Sequence, residues 1–173
     1  MEVGTSDRRQ IEVDEGLYSR QLYVMGHEAQ RRMAGSDVLV SGLDGVGVEL
    51  AKNIVLAGVK SVTLHDPSPA GWEDLSANFF LTEKDIGNSR AASCATKLAE
   101  LNRYVQVTVV EGELTDEMLQ RFQCVVLVGA PLETQLCVDD FCHAQGICFV
   151  AAEARGVFGY IFCDFGSRHV VSD

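Results

Sequence analysis

The sequence predicts an α/β domain of three layers: a mainly parallel sheet covered by helices on both faces, with an antiparallel strand at the C-terminal end. Three observations carry this prediction. Strand-like and helix-like segments alternate along the chain. The strand segments, Cys124–Val128 above all, are apolar on both faces, the pattern of strands buried between helix layers. A glycine cluster, Gly42–Gly47, follows the first strand and opens a helix, the usual strand-to-helix turn of doubly wound sheets.

The elements follow in order. Residues 1–13 are polar and are expected to form a disordered tail, leaving 14–173 as one domain. Asp14 to Ala34 reads as a helix, with Leu17, Leu22, Val24 and Met33 among polar residues and a break at Gly26. Val38–Ser41 is a buried strand, and Gly45–Ala57 a helix closed by Gly58. Ser61–His65 is the second strand, ended by Asp66. A loop with Pro67 and Pro69 leads into an aromatic stretch, Trp72 to Leu81. A helix over 88–101, a strand over 105–110 and a short helix capped by Thr115 and running to Phe122 come next. Cys124–Val128, a helix over 132–144 ended by Gly146, and strands over 147–151 and 157–165 complete the order. The chain stops just after a strand and reads as a fragment of a longer one.

Composition removes several function classes. The chain has 173 residues, 47% of them apolar, with mean hydropathy of +0.08, which suits a globular domain with its own core. No apolar run approaches the ~18 residues of a membrane span, and MEVGTSDRRQIEVDEG holds no hydrophobic signal region. A net charge of −11 argues against nucleic acid, whose phosphates need a basic face. Cys137, Cys142, His143 and Cys148 lie close together, but no CxxC pair is present, and Cys124, Cys148 and Cys163 sit in apolar runs where cysteine acts as a small hydrophobe. No structural zinc and no disulfide framework is expected, which implies a reducing, intracellular compartment.

The glycine cluster, Gly42-Leu43-Asp44-Gly45-Val46-Gly47, admits two readings. In a dinucleotide loop G-x-G-x-x-G the middle glycine lets backbone approach phosphate. Here Asp44 stands at that position, between Gly42 and Gly47, while Asp66 stands at the end of the second strand, where a ribose-binding carboxylate belongs. In the first reading the loop is a weakened nucleotide site. In the second, the glycines serve only the tight turn and close packing, and Asp44 caps the helix and fills the anion position with its own carboxylate.

Three segments carry a family resemblance. LYSRQLYVMG (Leu17–Gly26) resembles the opening helix of the adenylation domains of ubiquitin-like activators. VLVSGLDGVGVELAKNIVLAGVKSVTLHD (Val38–Asp66) is similar to their first βαβ unit. ARGVFGYIFCDFG (Ala154–Gly166) resembles the end of the first adenylation half of ubiquitin-activating enzymes. The amino-terminal subunits of the SUMO and NEDD8 activators are related. The resemblance implies a ThiF-like, Rossmann-type domain from a two-half enzyme in the cytoplasm and nucleus. In such enzymes only the second half binds ATP and Mg²⁺, adenylates ubiquitin and passes it to a thioester cysteine in another domain.

Against the active-half pattern this chain departs at several places. The second aspartate past Asp66 is Ser68, the phosphate-holding arginine is Ala77, and the magnesium-binding Asp-Asn pair is Ala130-Pro131. Asp66 survives, and Arg90 lies near the place of a phosphate-binding lysine. Without a magnesium carboxylate and a phosphate arginine nothing neutralises a triphosphate. The expectation is a catalytically silent half with no cofactor of its own. Arg20 matches a family arginine that reaches from the opening helix into the partner half's ATP site; read from the sequence alone, it is an exposed helix arginine. Expected partners are the active half, ubiquitin through the whole enzyme, and a second copy of the fragment, through an apolar face on helix 45–57 and the Trp72–Leu81 stretch. Competing readings are a stand-alone NAD- or ATP-dependent Rossmann enzyme, the amino-terminal subunit of a SUMO- or NEDD8-type activator, and an interaction module without enzymatic context. His65 and Asp66, adjacent in a strand, are expected to point apart. His27 is expected at a solvent-facing helix start and His143 near a helix end. Trp72, Phe79 and Phe80 are expected to cover the sheet or meet a partner.

Overall fold

The computed structural model describes residues 13–170, so the predicted N-terminal tail, but for Val13, lies outside the described residues. The strands are β1 (Asp37–Ser41), β2 (Ser61–His65), β3 (Gln106–Val110), β4 (Cys124–Val128), β5 (Cys148–Arg155) and β6 (Phe158–Asp164). The helices are α1 (Ser19–Ala34), α2 (Gly45–Ala57), α3 (Arg90–Ala99), α4 (Asp116–Leu119) and α5 (Leu132–Gln145). The sheet order is β3-β2-β1-β4-β5-β6, parallel throughout except for the antiparallel β5–β6 pair. This is the doubly wound, Rossmann-type arrangement that the sequence predicts.

Each sheet face has its own core. On one side α2 seats Val48, Ala51 and Val55 on the sheet, a three-to-four spacing that makes one apolar stripe, and α3 adds Ala91, Cys94 and Leu98. On the other side α5 contributes Val138 and Cys142, packed with Leu119, Phe122 and Phe149. Gly58 ends α2 in the left-handed region at φ +81°, and Tyr18 lies where a side chain there would project, 2.4 Å from an added Cβ.

Several expectations are corrected, among them the short helix after Thr115, which ends at Leu119 rather than Phe122. The first helix begins at Ser19 rather than Asp14, because Asp14 instead pins a turn: its carboxylate accepts the Leu17 amide at 3.0 Å and its carbonyl the Tyr18 amide at 3.0 Å. Gly26 then breaks the helix at φ +79°, as expected. Strand β5 runs on to Arg155 because β6 folds back on it, Glu153 opposite Tyr160 and Arg155 opposite Phe158. The expected apolar face is only partly exposed. Trp72, Phe79 and Leu56 are open, but Phe80 and Leu81 are buried, and α2 spends its other large apolar residues on the core. A longer exposed apolar run is Val157–Phe162, where Val157 is 94%, Phe158 79% and Ile161 73% exposed. Among the described residues no helix is long and apolar enough to cross a membrane.

Candidate functional site

The strand order reverses between β1 and β4, and there a crevice of about 720 Å³ opens at the carboxyl ends of the strands. Ser41, Gly42, Asp66 and Val128 form part of its wall, and Glu113, Glu133 and Cys137 are exposed along it. In open α/β sheets this is where ligands bind. A hollow of about 650 Å³ at the other end of the sheet, lined by Asp14, Tyr18, Gln30 and Lys60, holds none of the predicted residues.

The glycine turn forms the crevice's near side. Gly42 has φ +92°, and a Cβ there would lie 2.1 Å from the Val128 carbonyl oxygen; one on Gly47 would lie 1.8 Å from the Gly42 carbonyl oxygen. Only glycine lets β1, α2 and β4 approach this closely. Asp44 is the N-cap of α2: its Oδ1 accepts the amides of Val46 and Gly47, each at 2.9 Å. These are the amides that a bound phosphate would otherwise take. Gly45 packs against Ala77, 2.5 Å from the Ala77 Cβ to a Cβ added at Gly45.

Asp66 does not face outward for a ribose. Its Oδ2 accepts the Leu43 amide at 2.7 Å, its Oδ1 the Ser68 amide at 2.9 Å, and Arg90 Nε lies 3.0 Å from Oδ2. The other end of the Arg90 guanidinium donates to Asp74 Oδ1 at 2.9 Å. The Asp66 side chain is 2% exposed, that of Asp74 10% and that of Arg90 17%. Burial works against the charge of Arg90, but the two carboxylates outweigh it and hold its pKa above the ordinary value.

The sequence does not single out the pair beside Asp66. Parallel register sets Ser41 opposite His65. Ser41 Oγ lies 2.8 Å from His65 Nδ1, and His65 Nε2 lies 2.9 Å from the Gly112 carbonyl oxygen. A carbonyl accepts only, so in the neutral ring Nε2 carries the hydrogen and Nδ1 accepts the Ser41 hydroxyl. The sequence signal is limited to both residues ending predicted strands, since apolar runs do not fix the register between them.

The remaining predicted positions separate. Ser68, Arg90 and Ala130 line the crevice with Asp66, whereas Ala77, Asp44 and Gly45 line a smaller hollow beside Glu73 and Asp74. Arg20 is exposed on the first turn of α1 and makes no hydrogen bond or ion pair among the described residues. Its neighbour Gln21 donates to the Ala57 carbonyl at 2.8 Å, which places that turn beside the C-terminal end of α2 and away from the crevice at its N-terminal end. His27 is exposed, 3.3 Å from Glu15, and His143 ends α5 against Asp164 at 2.8 Å. Cys124, Cys142 and Cys148 are in or beside the core, with burial pushing the Cys124 thiol up to about 12; Cys163 is exposed. No group of three His, Cys, Asp or Glu side chains among the described residues is disposed to hold a metal ion.

Fold and turn together define a Rossmann-type domain with a phosphate-loop-like turn at its switch point. Residues 18–165 match the ThiF family, and the chain belongs to that family. It is 57% identical over 164 residues to ubiquitin-like modifier-activating enzyme 1 of Oryctolagus cuniculus, covering 95% of this chain and 16% of that protein. It is 54% identical over 173 residues to ubiquitin-activating enzyme E1 1 of Schizosaccharomyces pombe, covering 100% of this chain and 17% of the relative. It is 55% identical over 161 residues to human ubiquitin-like modifier-activating enzyme 7, covering 93% and 16%. The chain thus spans about one sixth of the length of these relatives. A crystal structure of E. coli MccB with succinimide shares the fold at a TM-score of 0.76 and 15% identity, over 88% of this chain and 49% of that one.

Proposed function

We propose that this domain is the non-catalytic adenylation half of a ubiquitin-activating enzyme. It pairs with an active half that adenylates ubiquitin using ATP and Mg²⁺ and passes it to a thioester cysteine elsewhere, in the cytoplasm and nucleus. The similarity to activating enzymes supports the parent assignment. One observation carries the silent half of the reading: Asp44 Oδ1 already accepts the Val46 and Gly47 amides. A phosphate would have to displace a carboxylate from both and then meet its negative charge.

The other residues do not suit a triphosphate either. Arg90, the cation in the crevice wall, is neutralised by Asp66 and Asp74. Asp66 is engaged by two amides and that guanidinium. Ala77 and Ala130 offer neither a charge nor a metal ligand. The role left is structural and interfacial, with Arg20 offered to the partner half's ATP site. The test is calorimetry of this chain with ATP and Mg²⁺: no heat above dilution is expected, and a magnesium-dependent site of micromolar affinity would overturn the reading.

A further inference from the structure

The crevice keeps a chemical capacity that adenylation does not use. Ser41 and His65 meet at its inner wall, at 2.8 Å, with the imidazole fixed from behind by the Gly112 carbonyl at 2.9 Å. Nucleophile, base and orienting group therefore stand in sequence, the constellation that activates a serine hydroxyl. The orienting bond fixes the tautomer so that the ring nitrogen facing Ser41 has a free lone pair. The neighbouring carboxylate, Asp66, is occupied by Arg90 and two amides, so His65 is the base available to Ser41. Across the crevice α5 begins at Pro131 without a side-chain cap, and Glu133 and Thr134 of its first turn line the same space. The first-turn amides of that helix have no side-chain cap, with the Glu133 carboxylate beside them. This contrasts with α2, whose first amides Asp44 has taken.

We infer that Ser41 and His65 form a nucleophile–base pair for acyl transfer, acting on small carboxylic esters of neutral or cationic character. The inference is independent of the proposed role in a ubiquitin-activating enzyme. Leu114, Leu127 and Val138 make part of the crevice apolar, which suits a short acyl chain, while Glu113 and Glu133 disfavour an anionic substrate. Ser41 Oγ attacks the ester carbonyl carbon and its proton passes to His65 Nδ1. The tetrahedral intermediate collapses, its C–O bond to the alcohol breaks, and the alcohol leaves with the proton from His65. Water then attacks the acyl-Ser41 ester, gives its proton to His65, and releases the carboxylic acid as Ser41 Oγ recovers that proton.

The experiment is hydrolysis of p-nitrophenyl butyrate by the full chain, followed by mass spectrometry of the quenched protein. A burst of p-nitrophenol and a butyryl group on the peptide containing Ser41 are expected. Ser41→Ala and His65→Gln should each lower the acylation rate by on the order of 10²-fold. Cys137→Ser should leave it unchanged, since Cys137 lies on the rim. Should Ser41→Ala fail to fold, Ser41→Cys decides, with label expected at position 41. Label on Cys137, no label at position 41 in wild type or Ser41→Cys, or wild-type hydrolysis by a folded Ser41→Ala would each overturn the inference and leave the pair a buried hydrogen bond of the sheet.

Discussion

The carboxylate of Asp44 stands 2.9 Å from the amide of Gly47, inside the turn that in a dinucleotide loop receives phosphate. The same oxygen serves Val46, so one side chain completes the start of α2. Asp44→Ala should lower stability by about 1 kcal/mol, the usual loss for a missing N-cap, read by urea unfolding. Asp44→Gly should cost only a few tenths of a kcal/mol. It should confer no ATP–pyrophosphate exchange on this chain, because Ala77 and Ala130 still supply neither arginine nor metal ligand. Exchange by the single variant would show that the carboxylate alone silences the site.

Arg90 holds the second strand's end to the loop that follows, bridging Asp66 and Asp74. All three side chains are largely buried, so removing one leaves a charge without its partner. Arg90→Ala should cost about 3 kcal/mol by chemical denaturation, whereas an exposed pair such as Arg32–Glu28 should cost under about 1 kcal/mol. A loss at Arg90 no larger than at Arg32 would place the bridge among ordinary surface pairs.

Gly47 tests the close approach of helix and strand. A Cβ there would sit 1.8 Å from the Gly42 carbonyl oxygen, and backbone, unlike a flexible side chain, cannot swing aside. Gly47→Ala should destabilise by more than about 2 kcal/mol despite alanine's better helix propensity. Gly87, with open space around its Cβ position, is the control for steric effect, though its φ of +84° adds strain of its own. Equal melting temperatures for wild type and Gly47→Ala would mean the turn can open.

His143 and Asp164 join the end of α5 to the end of β6. The Asp164 hydrogen bond, then its charge, holds the His143 pKa above the ordinary 6.5. The Gly166 amide, then His143, holds that of Asp164 below 3.8. The histidine's contribution to stability is therefore complete below about pH 6.5 and fades as pH rises through its raised value. The aspartate's is complete above about pH 4 and fades as pH falls through its lowered value. An NMR titration should give His143 a midpoint above 6.5 that returns toward 6.5 in Asp164→Asn. An unchanged midpoint would remove Asp164 as the cause.

What the sequence reveals, and what it does not, divides by range. The turn at Gly42–Gly47, the break at Gly26 and the caps at Gly58, Thr115 and Gly146 depend on neighbours within a few positions, and composition reports them. The Arg90 bridge joins residues 16 and 24 positions apart through an irregular loop, and no periodicity encodes that closure. Ser41–His65 depends on parallel register between strands, which apolar runs alone leave free to slide. The exposure of β6 is hidden for another reason. Its apolar residues read as buried, but among the described residues β6 ends the sheet and pairs with β5 alone.

Under the proposed function, the test of Arg20 needs the whole enzyme. Arg20 lies exposed on the first turn of α1, beside the C-terminal end of α2, whereas this domain's own crevice lies at the N-terminal end of that helix. If its guanidinium enters the active half's site, removing it takes away charge stabilisation as pyrophosphate departs while leaving this domain folded. Arg20→Ala should then slow ATP–pyrophosphate exchange by intact enzyme on the order of 10²–10³-fold, with the melting temperature unchanged. Arg20→Lys should recover only part of the rate, because lysine keeps the charge but lacks the planar fork that grips two oxygens at once. The pairing of a large rate loss with an intact melting temperature separates this role from a merely structural one. Near-wild-type exchange by Arg20→Ala would return Arg20 to the exposed surface and remove it from the proposed role.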